Sequence, residues 1–169
     1  MRWDEVRRVY SDAVEGVVNA ASAIPAEAWL APRDEGKWSP AEIVEHLTLA
    51  CEVLLRELEG GEGMRVRTSW WQRVLLRVTM VPRLLSGKPF PAGARAPRET
   101  RPELRSEDQA SAIARFRERS GALESAAAEG VMGGRRVYLT HAYFGRAPVE
   151  KALLLSARHI EHHLRQLTR

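Results

Sequence analysis

Three of the five histidines lie close together near the end of the chain, at His159, His162 and His163. The segment from Pro148 to Leu167 is typical of one amphipathic helix, because its apolar residues recur at the helical period. His159 and His163 are four residues apart, so their rings lie one above the other along one margin of the apolar stripe. Such a pair can present two imidazoles to one metal ion. By itself the pair also fits buried or surface histidines that bind nothing.

A third histidine takes a matching position on another predicted helix. Ser39, Pro40 and Glu42 form a start signal, with serine as the N-cap, proline in the first turn and glutamate completing a capping box. This helix is predicted to run to about Glu59, where two glycines stop it. His46 lies at the edge of its apolar stripe. Three histidines on two helices therefore occupy the same marginal position relative to the predicted core.

Other polar residues near these helices have simpler structural interpretations. His141 could be an acid/base group or could orient a ligand, although a turn-stabilising role is favoured. His162 falls among charged residues and is predicted to face solvent. Gln166 lies about one turn beyond the histidine pair and could touch a ligand or water, while Cys51 is predicted to be a small core residue. Three carboxylates are assigned structural roles, the first in the capping box and the others as surface charges: Glu42, Glu45 and Glu161.

The rest of the chain is predicted to position these residues by helix packing. Further helices are expected over 3–22, 69–85 and 106–129, with Ser106 opening the last of these in a second capping box. Pro82 is predicted to end or kink the helix over 69–85. That helix is apolar around most of its circumference and is assigned to core or subunit packing, with a membrane-surface or dimer-contact helix as the alternative.

Two irregular stretches complete the prediction. Gly87 to Pro102 holds four prolines and two glycines, so it is predicted to be a long crossover connection or a lid over a site. A short extended run is expected over 137–140, before the segment 141–145. Strand-like alternation is nearly absent elsewhere. The chain is therefore predicted to be all-α, with a four-helix core.

Composition limits the classes of protein to which the chain can belong. Its 169 residues are predicted to form a single domain over 1–169. The net charge is +4, but arginines alternate with acidic residues along most of the chain, so we expect no nucleic-acid partner. A single cysteine excludes a disulfide framework, and no apolar run is long enough to span a bilayer. The charged amino terminus does not resemble a signal sequence, so we expect a cytoplasmic protein and no membrane partner.

Three motifs together carry a resemblance to a known family. They are W-S-P-A-E-I-V-E-H-L over 38–47, H-A-Y-F-G over 141–145 and H-I-E-H-H-L-R-Q-L over 159–167. Their order and spacing resemble those of the DinB/YfiT-like superfamily of metalloenzymes, in particular the DinB-like branch. The resemblance implies a four-helix bundle of up-down-down-up type that is usually dimeric, so a homodimer is expected. It also implies one divalent metal ion, with His46, His159 and His163 as the ligands.

The chemistry of such a site follows from its ligands. Three neutral imidazoles suit Zn, Ni or Fe in the divalent state better than Mg or Ca. Three protein ligands leave a coordination position open, where a water or thiol can be made acidic. We therefore predict a metal-dependent hydrolase or S-transferase that acts on a small-molecule substrate, and the resemblance implies a low-molecular-weight thiol as the cosubstrate of the S-transferase. The alternative hypothesis is a non-catalytic dimeric bundle that binds a metal or a small molecule.

Overall fold

Five α-helices make up most of the computed structural model, which describes residues 2–88, 90, 96–103 and 108–168. A two-stranded antiparallel hairpin separates the fourth helix from the fifth. The elements in chain order are α1 (Trp3–Ser22), α2 (Pro40–Leu58), α3 (Trp70–Leu85), α4 (Gln109–Met132), β1 (Tyr138–His141), β2 (Gly145–Pro148) and α5 (Val149–Leu167). The prediction of a helical chain is confirmed, but the hairpin was not predicted as such. Within the described residues no helix is long and apolar enough to cross a membrane.

The core lies between two extensively packed helix pairs. α1 packs along α5, and α2 packs along α4, with fewer contacts joining α1 to α4 and α2 to α5. The predicted apolar stripes supply the buried side chains, such as Val17 on α1, Leu47 on α2 and Leu153 on α5. α3 lies outside these pairs and packs mainly on α5. The helix that carries His159 and His163 is thus covered from several sides, while the up-down-down-up order of the bundle stays a prediction.

The start of α2 is fixed by the predicted capping box. The backbone N–H of Ser39 donates to Glu42 Oε2 at 2.8 Å, and the backbone N–H of Glu42 donates to Ser39 Oγ at 3.3 Å. Pro40 occupies the first helical position, where a missing N–H costs nothing. The cap sets the helical register about two turns before His46. The role of Glu42 is thereby confirmed.

The structure differs from the prediction at the ends of α4. Its N-cap is Asp108, whose carboxylate accepts from the backbone N–H of Ser111 at 3.0 Å. The predicted cap at Ser106 lies outside the described residues. The helix also continues to Met132 rather than ending near Glu129, because a glycine at position 130 is tolerated inside the last turns.

Pro82 does not end α3, which continues to Leu85. A proline removes one helical hydrogen bond, here to the carbonyl of Val78. Val78 is 70% exposed, so water can satisfy that carbonyl. Trp70 and Trp71 at the start of α3 are also exposed, so they do not belong to the core, while subunit packing and the membrane-surface or dimer-contact alternative stay predictions.

The hairpin holds the segment that carries His141 against α3 and α5. Its strands pair in a register that sets Tyr138 opposite Pro148 and His141 opposite Gly145. Gly145 has φ of +67°, a conformation that side chains with a Cβ rarely adopt. The sequence gives little indication of β2, because Gly145–Pro148 contains a glycine and a proline and has no alternation of apolar and polar residues.

Candidate metal centre

The three predicted histidines converge through the same ring atom. His159 Nε2 lies 3.1 Å from His46 Nε2 and 3.1 Å from His163 Nε2. All three candidate ligand atoms lie within 4.8 Å of one another. A tetrahedral zinc ion with Zn–N bonds of about 2.0–2.1 Å holds its nitrogen ligands about 3.3 Å apart. The predicted convergence is confirmed, and the cluster is compatible with a metal site.

Two of the rings are oriented by acceptors on their far side. His46 Nδ1–H donates to the backbone carbonyl of Thr100 at 2.5 Å. His163 Nδ1–H donates to Gln166 Oε1 at 2.9 Å. A proton held on Nδ1 leaves the lone pair on Nε2, directed at the shared centre. The donor set therefore fits a divalent cation, and the outer hydrogen bonds select the tautomer that such an ion requires.

Burial keeps these imidazoles neutral. Desolvation lowers the pKa of His46, and it lowers the pKa of His163 to about 3 with a further contribution from His46. The pKa of His159 lies well below its usual range, first because of desolvation and then because of His163 and His46. Neutral imidazoles are the form that binds a metal ion, so no proton has to be displaced near pH 7.

Aromatic side chains cover the cluster. The Trp38 ring lies 4.8 Å from the His46 ring and 6.0 Å from the His163 ring, measured between centroids. The Phe90 ring lies 5.5 Å from the His159 ring. These apolar walls lower the local dielectric and strengthen any charge interaction at the centre.

Sequence reasoning missed these contacts for different reasons. Trp38 precedes the Ser39 cap, so the helical period of α2 does not include it. Phe90 lies in the irregular connection, where no periodicity predicts which way a side chain points. Thr100 contributes a backbone carbonyl, which has no signature in a sequence.

His141 lies beside the centre and stabilises its own turn. Its Nδ1 accepts from the backbone N–H of Tyr143 at 3.2 Å, which matches the favoured turn-stabilising role. Its ring stacks on Phe144 with centroids 4.4 Å apart. It is also near enough to His159 to contribute to the low pKa of that residue. Since Nδ1 is an acceptor, the proton of the neutral ring is on Nε2.

His162 was predicted to face solvent, and Gln166 was left open between touching a ligand and facing water; both contact other side chains at the cluster. His162 is half-buried, with its ring 5.5 Å from that of Phe90 and its Nε2 3.1 Å from Gln166 Nε2. The prediction that His162 faces solvent was therefore wrong. Gln166 bridges His162 and His163, so it touches a candidate ligand directly rather than facing only water.

The structural assignments of the remaining polar residues are partly corrected. Glu45 is buried and forms an ion pair with Arg115 of α4, because α2 packs against α4 along this side. Its assignment as a surface charge was wrong. Glu161 is half-buried and pairs with Arg158 at 2.7 Å within α5. Cys51 is buried in the core as predicted, 3.6 Å from the hydroxyl of Tyr10.

We expect the Gln166→Leu variant to bind metal about 10–100-fold more weakly, the usual cost of losing a hydrogen bond to a ligating histidine. The change removes the acceptor that holds His163 in the required tautomer. Competition against a chromophoric chelator measures the affinity. The matched control is Gln166→Glu, which keeps an acceptor oxygen and should bind nearly as well as the parent. An equal loss in both variants would contradict the proposed role of the acceptor.

We expect the metal-free protein to lose stability as the pH falls from about 6.5 toward 4. Desolvation lowers the pKa of His141 to about 4, so the folded ring stays neutral while the unfolded one gains a proton. The free energy of unfolding therefore keeps its full value above the pKa of histidine in the unfolded chain, about 6.5. It decreases below that pH, and the contribution of His141 to this decrease reaches about 3 kcal/mol at pH 4. Urea midpoints measured in the presence of a chelator test this. His141→Asn keeps the acceptor for Tyr143 and should show a shallower pH dependence, whereas an unchanged slope would refute the assignment.

Comparison with known proteins agrees with the geometry. A family model described as the DinB superfamily matches residues 2–167, nearly the whole chain. Searches of curated proteins and of solved structures found no match.

Proposed function

Because the chain belongs to the DinB superfamily, we propose that His46, His159 and His163 hold one divalent metal ion in a metal-dependent enzyme. The reaction class is hydrolysis or S-transfer with a low-molecular-weight thiol. One observation carries the proposal: three buried or half-buried imidazoles direct Nε2 at one centre, and two of them are held there by acceptors on Nδ1. Zn, Ni and Fe in the divalent state are the ions that suit this donor set.

The ion would supply Lewis acidity at an open coordination position, which makes a bound water or thiol acidic near neutral pH. The chain's own residues orient and enclose that position. Thr100 and Gln166 hold two ligands in one tautomer, and Trp38 and Phe90 exclude bulk water. His141 holds a proton on Nε2 and acts as a neutral hydrogen-bond donor toward a substrate beside the centre.

The connection between α3 and α4 is the proposed entrance for substrate. Phe90 and Thr100 both belong to it, and both contact the candidate ligands. These two contacts are the reason for proposing that the connection covers the centre as well as joining the two helices. Its contacts support the expectation that substrate enters between the metal and residues 87–102.

The proposal is tested with protein loaded in turn with Zn, Ni or Fe(II). An ester such as p-nitrophenyl acetate tests hydrolysis, and an electrophile offered with a small thiol tests S-transfer. Turnover should be lost on chelation and restored by the metal. Metal bound at full occupancy with no turnover on either substrate class would favour the non-catalytic binding bundle instead.

A further inference from the structure

The outer face of α3 is an apolar surface. Five side chains on it are 54–74% exposed, and they are Trp70, Trp71, Val74, Leu75 and Val78. A tryptophan side chain has an area of up to about 250 Å², so the whole face exposes on the order of 500 Å² of apolar surface. That is near the upper end for the largest apolar patch on a typical monomer, and such patches are often functional.

The arginines of α3 explain why this face points outward. Arg77 donates from Nε to the carbonyl of Phe144 at 2.7 Å and also contacts the carbonyl of Arg146. The Arg73 side chain lies against the Cα of Gly145, so closely that a Cβ there would be 2.7 Å from Arg73 Cδ. These two residues tie the inner side of α3 to the hairpin. The tryptophans and aliphatic residues are therefore left on the solvent side.

The charge of the surrounding segment is one-sided. From Gly63 to Arg98 the sequence contains eight basic residues and no acidic residue. This segment departs from the interleaved charges of the rest of the chain. Several members of the set are exposed: among them, Arg65 and Arg67 precede α3, Arg83 lies in its last turn, and Lys88 follows it. An apolar helix face that is surrounded by basic residues is complementary to a partner whose apolar part can cover the face and whose anionic groups can contact the basic residues.

We propose that α3 lies in the interfacial plane of a membrane that carries anionic lipid headgroups. Helices of this kind place tryptophan and aliphatic side chains at the boundary with the acyl chains, while basic residues contact the headgroups. A second copy of the chain fits less well. A two-fold pair built on α3 would bring the same basic segments together, and the segment from Gly63 to Arg98 holds no acidic residue to pair with them. The proposal departs from the expectation of no membrane partner, and it does not depend on the metal site.

The test is cosedimentation with vesicles of phosphatidylcholine alone or with about one third phosphatidylserine. We expect binding to the mixed vesicles only, with strong suppression at high salt. The double variant Trp70→Ser, Trp71→Ser should bind at least about 10-fold more weakly because the inserted area is lost. The charge variants Arg83→Gln and Lys88→Gln should each weaken binding about 5-fold. Met132→Ser removes another apolar residue, 74% exposed at the end of α4, and should bind like the parent.

Other outcomes would overturn the proposal. Equal binding to both vesicle types would contradict the proposed contact between the basic residues and anionic headgroups. A failure to bind either type, with a concentration-dependent dimer in sedimentation velocity that the tryptophan variant abolishes, would assign the face to a second copy. Binding to polyglutamate but not to vesicles would point to an acidic protein instead. Circular dichroism and urea midpoints of each variant verify that the fold is intact.

Discussion

The His159→Ala variant is expected to lose its bound metal, falling from about one ion per chain toward zero by elemental analysis. His159 Nε2 lies 3.1 Å from the Nε2 atoms of both other histidines, so its removal leaves two ligands with no third donor between them. The loss in affinity should exceed the 10–100-fold that outer hydrogen bonds cost.

His162→Ala is the matched control, because it removes the same side chain from the same helix. His162 packs on Phe90 and contacts Gln166, but it is not one of the three clustered ligands. This variant should keep its metal, apart from a small decrease in affinity through Gln166. Unchanged occupancy in His159→Ala, or equal loss in both variants, would refute the ligand assignment.

The second large effect is on stability. A ligand that binds only the folded state at about a thousand times its Kd adds about 4 kcal/mol to the free energy of unfolding. For a chain of this length, each kcal/mol raises Tm by about 2–4 °C, so saturating metal should raise Tm by roughly 8–16 °C. The three ligands come from α2 and α5, so the ion would join two helices that have few other contacts with each other.

Calorimetry of the metal-loaded and the chelated protein measures this difference. His159→Ala should unfold at nearly the same temperature in both conditions, because it has no complete site. A parent protein whose Tm does not respond to Zn, Ni or Fe(II) would contradict the proposed centre. A response of equal size in the variant would assign the effect to binding elsewhere.

The sequence predicted which histidines meet, both from their positions on the helices and from the family resemblance of the three motifs. Helical spacing placed His46, His159 and His163 at stripe margins, and a capping box fixed the register of the second helix. These signals are local to each helix. The packing of the helices brings the edges of their apolar stripes, and with them the histidines, together. The same reasoning misplaced His162 and Glu45. His162 is covered by Phe90, and Glu45 pairs with Arg115. Both partners come from other segments of the chain, so the periodicity of one helix does not predict these contacts.

The hairpin and the aromatic cover were missed for a related reason. Strand pairing over four residues gives no repeating pattern, and Phe90 lies outside the described helices and strands, where no periodicity indicates its orientation. The outer face of α3 was assigned to core or subunit packing, and only the core part of that assignment is contradicted by its exposure. Hydrophobicity alone does not distinguish a buried face from one that contacts a partner. The single domain, the homodimer and the cytoplasmic location stay predictions.

The hydrogen bond that orients His46 ends on a peptide oxygen, the carbonyl of Thr100. Every amino acid has this backbone oxygen, so a substitution at position 100 does not remove the acceptor. The acceptor is lost only when the path of the main chain changes. The geometry of this histidine is therefore more sensitive to insertions and deletions between α3 and α4 than to point replacements, and a mutational scan of single substitutions would overlook how much it depends on that loop.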